Sequence, residues 1–256
     1  MSEFNYDIIL KNNYIGEVML MQKYIEIDEL KKQVPFIKLA ITTKDVNAKN
    51  KIDLENTFKN GEFTLKNLTS NIQIHSDIVN TVDYLNIGNK DEGDALITNL
   101  KNVPLLIFTA DCVPVAIIDR KKKGIGLAHA GWKGTYSEIA KKTIDKMKEL
   151  YNSKEEDLIC IIGPSIGECC YEVSEDLYNK FSDKFKSDTD MLYSINNDKY
   201  YLNLQNINKY SLKEIGVKED NIIKLDICTN CNSDKFHSYR AHNQTPYRIG
   251  TILEII

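Results

Sequence analysis

LLIFTADCVPVAIIDRKKKGIGLAHAGWKGT, residues 105–135, contains three short apolar runs separated by polar turns. Residues 105–109 are apolar and rich in β-formers, and Ala110-Asp111-Cys112 follows them. Residues 113–118 form a second buried-strand pattern, and residues 119–123 read as a solvated turn. The third run, residues 124–128, delivers His129 into Ala130-Gly131-Trp132-Lys133-Gly134-Thr135. Glycines at 131 and 134 allow a sharp turn and leave room beside the imidazole. A thiol and an imidazole at the ends of neighbouring strands form either a metal site or a Cys–His catalytic pair.

The rest of the chain narrows the setting. With 256 residues it can bury a substantial core, as one large α/β domain or two small ones. A formal net charge of −4 argues against general nucleic-acid binding, which needs a basic surplus. No apolar run reaches the ~18 residues of a membrane span. The N-terminus lacks a basic-then-apolar signal pattern, so the expected compartment is the cytoplasm. Six cysteines in such a chain read as reduced thiols or metal ligands. Only four histidines are present, whereas a multicopper oxidase needs roughly ten imidazole ligands, so that chemistry is excluded.

Patterning along the chain predicts a mixture of strands and helices. Residues 6–10 and 17–21 read as an opening hairpin, 25–34 as a short helix ended by Pro35, and 36–43 as a strand. A helical patch is expected over 53–59. Residues 72–75 read as a short alternating strand ending in His75, 91–94 as a turn, and 95–98 as a strand. Ala140, Ile144, Met147 and Tyr151 form one apolar stripe of a helix. Residues 158–162 are a buried strand. Ser174 starts a helix that carries Leu177, Phe181 and Phe185 on one face. Strands over 200–204, 222–227 and 251–256 and a helix over 206–215 complete the pattern. With no internal repeat or linker, residues 1–256 read as a single α/β domain.

His75, Cys112 and His129 are a candidate metal site. Two imidazoles and a thiolate suit zinc, and three protein ligands leave a fourth position for water or substrate. The alternative is that Cys112 is a small buried residue and the histidines sit at strand ends. Cys228, Cys231, His237 and His242 have the spacing C-x2-C-x5-H-x4-H, close to a zinc knuckle. The acidic chain and the preceding apolar strand argue against that knuckle, and Cys228 is expected near the main pocket. Cys169 and Cys170 are expected to be packing or loop residues.

Four motifs in order, TADCVPV, HAGWKGT, GPSIGECCYEV and CTNCNSDKFHSYR, with QIHSDIV before them, resemble the laccase-domain or YfiH-like family. Its members are also called multifunctional purine nucleoside phosphorylases and were formerly labelled polyphenol oxidases. The resemblance spans residues 41–252. It implies an α/β/β/α sandwich, with mixed sheets flanked by helices. It also implies one metal, zinc with copper as an alternative occupant, on His75, Cys112 and His129. The implied activity is phosphorolysis of adenosine and inosine, with guanosine and methylthioadenosine as further candidates, and adenosine deamination beside it. Lys44, Lys133, Arg240 and Arg248 are then the candidate cations for phosphate. Asp111 is either a proton shuttle or an outer hydrogen-bond partner of a ligand. Trp132 is either a stacking surface for a purine or a packing anchor.

There are departures from the family pattern. Lys133 stands where many relatives have arginine, so the charge remains and the bidentate fork is lost. The run Phe236-His237-Ser238-Tyr239-Arg240-Ala241 lacks one basic residue, and Pro246-Tyr247-Arg248 keeps only its arginine. The deaminase signature H-x-E…P-C-x-x-C is absent. Competing functions are a Cys–His hydrolase using Cys112 and His129, a copper-dependent polyphenol oxidase, and a zinc-stabilised interaction domain.

Overall fold

A computed structural model describes residues 18–20, 23–187 and 192–256. The first half of the chain runs β1 (Val18–Leu20), β2 (Tyr24–Ile27), α1 (Asp28–Gln33), β3 (Ile37–Thr42), α2 (Lys51–Thr57), β4 (Thr69–Ser70) and β5 (Val79–Thr81). Then come β6 (Ala95–Thr98), β7 (Leu105–Thr109), β8 (Val113–Asp119), β9 (Ile125–Ala130), α3 (Trp132–Tyr136), α4 (Ile139–Tyr151) and β10 (Leu158–Ile162). The last part holds β11 (Glu172–Val173), α5 (Glu175–Lys184), β12 (Tyr193–Asn196), β13 (Lys199–Leu202), α6 (Leu204–Glu214), β14 (Ile222–Lys224) and β15 (Ile249–Ile255).

Two six-stranded mixed sheets pack face to face, in the orders β1-β2-β3-β15-β7-β4 and β14-β10-β8-β9-β6-β5. Both faces of the central strands are buried, which is why those strands read as unbroken apolar runs and not as alternation. In β8, Ala116 and Ile118 face the first sheet, where they meet Leu105, Ile107 and Leu253. Val113, Val115 and Ile117 face the other way, onto α4, α5 and α6. In β7, Leu105 and Ile107 enter the layer between the sheets, whereas Leu106 points outward to Leu54 and Phe58 of α2 and its flank. The period-two switch of side chains thus builds four layers: helix, sheet, sheet, helices. A three-stranded sheet, β11-β13-β12, adds Leu202 to the helical side.

Of the stripe expected on α4, Ala140, Ile144 and Met147 are buried and Tyr151 is half-buried, with Ile139 buried beside them. The larger side chains, Ile139, Ile144 and Met147, contribute about 1.5–3 kcal/mol each on burial. Ser174 caps α5 by accepting the Leu177 N–H.

Several expected elements are moved or shortened. Residues 25–27 are strand, not helix, because Ile25 and Ile27 both enter the inter-sheet core and Ile25 pairs with Ile41. The helix expected over 25–34 therefore begins only at Asp28. Residues 6–10 lie outside the described residues, and β1 pairs with β2. The strand expected over 200–204 ends at Leu202, because the Asn203 side chain accepts the Asn206 N–H and opens α6. β14 stops at Lys224, before Asp226 takes a left-handed φ of 52°. Residues 72–75 are not a strand: Ile72 makes a single bridge to Glu92, and His75 has φ 57°. No helix among the described residues is long and apolar enough to cross a membrane.

Candidate functional site

The chain passes from the first sheet to the second between β4 and β5 and, after returning between β6 and β7, again between β7 and β8, and it returns once more between β14 and β15. The β4–β5, β7–β8 and β14–β15 crossings carry His75, then Asp111 and Cys112, then residues 225–248. β8 and β9 are antiparallel, with Pro114 opposite His129, so His129 lies at the end of its strand where Cys112 begins the next. β6 is antiparallel to β9 and enters at that same end, directly after Asp94.

Local chemistry fixes each donor. The Gln73 side chain donates to the Phe108 carbonyl at 2.8 Å and accepts the Phe108 N–H at 2.7 Å, tying residues 72–75 along β7 without a strand ladder. His75 then turns through its left-handed φ while its N–H donates to Asp94 Oδ1. Asp111 is also left-handed, at φ 83°, a strained position for a residue with a side chain. Its carbonyl accepts the Ile166 N–H, and its carboxylate accepts from Thr229 Oγ1 and the Arg240 N–H, each at 2.7 Å.

The His75, Cys112 and His129 donor atoms lie within 4.8 Å of one another. Cys112 Sγ is 3.9 Å from His75 Nε2, and the two imidazoles meet edge to face with centroids 4.9 Å apart. Gly131 makes the approach feasible: a Cβ there would stand 3.0 Å from Cys112 Sγ and 3.1 Å from His75 Cδ2.

Behind His129 lies Asp94, which is fully buried. His129 Nδ1 donates to Asp94 Oδ1 at 2.7 Å, leaving Nε2 as the ring's remaining donor atom. The carboxylate also accepts from the Ile74 N–H and from the backbone and hydroxyl of Ser76. Burial by itself would raise the Asp94 pKa, but the His129 and Ser76 hydrogen bonds outweigh it and hold it at about 2. Burial likewise opposes ionisation of Cys112, yet the charge and hydrogen bonds of His129, with help from His75, bring the thiol down to about 6. In turn His129, despite its burial, is raised to about 9 by Cys112 and Asp94. The three donors and their carboxylate support fit one divalent ion, with a coordination position left for a small ligand.

These donors line a cleft of about 750 Å³. Arg240 and Arg248 line it, and so do Asp111 and Trp132. Lys44 and Lys133 are not among its lining residues. The Lys44 ammonium is drawn away to the Ser233 carbonyl and His242 Nε2, and Lys133 lies over the Trp132 ring. Lys49 takes the place of a cation in the cleft; burial and the nearby Arg248 charge lower its pKa. Nothing in its Asn- and Lys-rich segment distinguishes Lys49 from a surface lysine. Asp94 leaves only a faint trace, an acid at the entry to the wholly buried strand Ala-Leu-Ile-Thr. Tyr171, also lining the cleft, is pushed up to about 12 by burial and then by the Cys112 charge.

The zinc-knuckle spacing is not assembled. His237 is buried against Tyr247, and His242 bonds Lys44, while Cys228 and Cys231 meet Cys169 and Cys170 instead.

Comparison with known proteins gives consistent likenesses. The family model described as multi-copper polyphenol oxidoreductase laccase matches residues 32–256. The purine nucleoside phosphorylase of Clostridium acetobutylicum is 37% identical over 193 residues, covering 75% of this chain and 78% of that protein. The purine nucleoside phosphorylase of Borreliella burgdorferi is 34% identical over 216 residues, covering 83% and 91%. Among solved structures, YfiH of Bacillus licheniformis superposes with a TM-score of 0.84 at 23% identity, covering 92% of this chain and 97% of that one.

Proposed function

The chain belongs to the family described as multi-copper polyphenol oxidoreductase laccase, and on that footing we propose that it is a zinc-dependent purine nucleoside phosphorylase. The observation that carries this reading is one cleft that joins a three-donor centre to three cations, Lys49, Arg240 and Arg248. Relatives named purine nucleoside phosphorylase support the substrate class, with adenosine and inosine first and guanosine and methylthioadenosine as further substrates. A multicopper mechanism finds too few imidazoles, since only His75 and His129 of the four histidines belong to the centre.

Phosphorolysis joins a phosphate oxygen to the ribose C1′ while the glycosidic electron pair leaves with the purine. The cations hold phosphate, the arginines by planar forks and Lys49 as a point charge. Trp132 and Tyr171 offer aromatic faces to the nucleoside. The high pKa of Tyr171 keeps its hydroxyl protonated, as a hydrogen-bond donor to the departing base. Zinc held by His75, Cys112 and His129 would supply Lewis-acid chemistry at the floor of the cleft. Adenosine deamination at the same floor, with water replacing the amino group at C6 and ammonia leaving, is the side activity. Both Asp111 carboxylate oxygens are engaged by Thr229 and the Arg240 N–H, which favours Asp111 as a positioning residue over a proton shuttle.

The test is product analysis from adenosine and inosine, with and without phosphate, for the native protein and His129→Ala. Ribose 1-phosphate formed only with phosphate and an intact His129 is expected, with hypoxanthine from adenosine reporting deamination. A zinc-loaded, folded protein that releases no base would end this reading. A second reading rests on the Cys112–His129–Asp94 chain of contacts and the lowered Cys112 pKa, which together fit a thiol hydrolase. Chelation would spare that activity and alkylation would abolish it.

A further inference from the structure

The loop between β10 and β11 meets the loop after β14 at a second cluster of sulfur. The Sγ atoms of Cys169, Cys170, Cys228 and Cys231 all lie within 4.8 Å of one another. Cys231 Sγ is 3.5 Å from that of Cys169 and 3.4 Å from that of Cys170. Cys228 Sγ accepts the N–H of Gly167 at 3.2 Å and that of Cys231 at 3.5 Å. The backbone explains how residues so distant in sequence converge. Ser165 N–H donates to the Ile227 carbonyl and Thr229 N–H to the Ser165 carbonyl, zipping the two segments together. The Gly167 carbonyl then accepts from both Cys170 and Tyr171, turning the chain under the sulfurs. Glycine suits this close approach, because a Cβ would stand 3.2 Å from both Cys169 Sγ and Cys228 Cβ and would press on the cluster.

We propose that Cys169, Cys170, Cys228 and Cys231 form a closed tetrathiolate site for one structural zinc ion, which pins together two loops of the cleft wall. Four soft donors around a point select zinc or iron. Zn–S bonds of about 2.3 Å set tetrahedral sulfurs about 3.8 Å apart, close to the spacing of this cluster. An iron–sulfur cluster holds its thiolates around a multi-atom core and needs them more widely separated. Four protein donors leave no position for water, so the site is structural where the His75 centre is open. The N–H groups aimed at Cys228 Sγ suit a thiolate. As the ion binds, the thiols release their protons to solvent and four S–Zn bonds form, with no change of oxidation state. Cys169 and Cys231 are exposed, and a bound ion protects such thiols from oxidation. The pinned loops present Ile166 and Tyr171 on one side and Tyr239 and Arg240 on the other. This site does not depend on the phosphorylase reading.

Elemental analysis of protein purified under reducing conditions tests the proposal. The native chain is expected to hold two zinc ions, and Cys169→Ser/Cys231→Ser to lose one of them while the His75 centre keeps the other. Because the double variant could lose its fold, a second arm leaves all four cysteines intact. Cobalt(II) added to Cys112→Ala after the zinc has been removed with a chelator under reducing conditions should give intense thiolate-to-cobalt charge transfer with tetrahedral d–d bands, and no thiolate remains in the first centre to produce them. Absence of those bands overturns the proposal. So does a freshly purified native mass that is two hydrogens short because a disulfide joins two of the four cysteines.

Discussion

The His75–Cys112–His129 centre and the four-cysteine cluster gather similar ligands by different means. In the first, Cys112 and His129 sit at the ends of paired strands, and a buried carboxylate orients His129 and holds the His75 backbone. The geometry is built by the sheets and by the Asp94 hydrogen bonds. In the second, every donor lies on a loop, held by a few backbone hydrogen bonds. There the ion's binding energy is folding energy. Three donors on a rigid frame leave an ion free to act on a ligand, and four donors on loops use the ion as a staple. The two clusters therefore respond in opposite ways to ligand removal.

Cys112→Ser should show the largest effect on turnover. Phosphorolysis is expected to fall on the order of 10³-fold, the size of several kcal/mol of lost Lewis-acid stabilisation. The melting temperature should stay nearly unchanged, because the sheets and not the ion set the fold. Steady-state kinetics beside a thermal melt checks both halves. Residual activity near the native level would remove the three-donor centre from the mechanism.

Asp94→Asn comes next. The amide oxygen can still accept from the His129 ring, but the negative charge that raises its basicity is gone. A loss of 10–100-fold in metal affinity or activity is expected for such a change behind a ligand. Competition against a chromogenic chelator measures it, and an unaltered affinity would show that Asp94 only packs.

This ordering separates what the sequence makes legible from what it hides. The runs around Cys112 and His129 read clearly because β8 and β9 are buried on both faces and admit few polar residues. Their reactive side chains then stand out against an apolar background. Asp94 hides because an acid beside a glycine resembles a turn, and only the β6–β9 pairing places it behind His129. Lys49 hides because what places it in the cleft is its position beside Arg248, which comes from a distant loop. The cysteine cluster misleads most. Cys228 and Cys231 have histidines at knuckle spacing, yet their partners Cys169 and Cys170 come from a distant loop, 62 and 61 positions before Cys231. Local spacing carries no record of the Ser165–Thr229 zipper. Residues 25–27 read as helix for a related reason: their alternation is too short to outweigh the following helical run until the sheet claims Ile25 and Ile27.

Gly131→Ala tests how tightly the first centre is built. The new Cβ would press on Cys112 Sγ and His75 Cδ2, and relief requires a donor to move by tenths of an ångström. Overpacking of about 1–2 kcal/mol should appear as roughly tenfold weaker metal binding. Calorimetric titration with zinc reads it directly, and native affinity would mean that the donors tolerate displacement. Lys49→Ala should act on substrate alone, raising KM for phosphate about tenfold, or ~1.4 kcal/mol, with kcat within a factor of about two. A fall in kcat with KM preserved would instead place Lys49 against the transition state.

Cys169→Ser/Cys231→Ser should have the smallest effect on kcat and the opposite profile to Cys112→Ser. Losing the staple is expected to lower the melting temperature by roughly 5–10 °C, corresponding to about 2–3 kcal/mol in a chain of this size. The wall carrying Tyr171 and Arg240 then loosens, so KM should rise severalfold while kcat stays within a factor of about two at saturating substrate. Activity lost in proportion to the zinc, without a change in melting, would mean that the two clusters are not divided between scaffold and chemistry. Stability lost with turnover preserved is what a loop-borne, four-donor site requires, because its ion touches no part of the substrate.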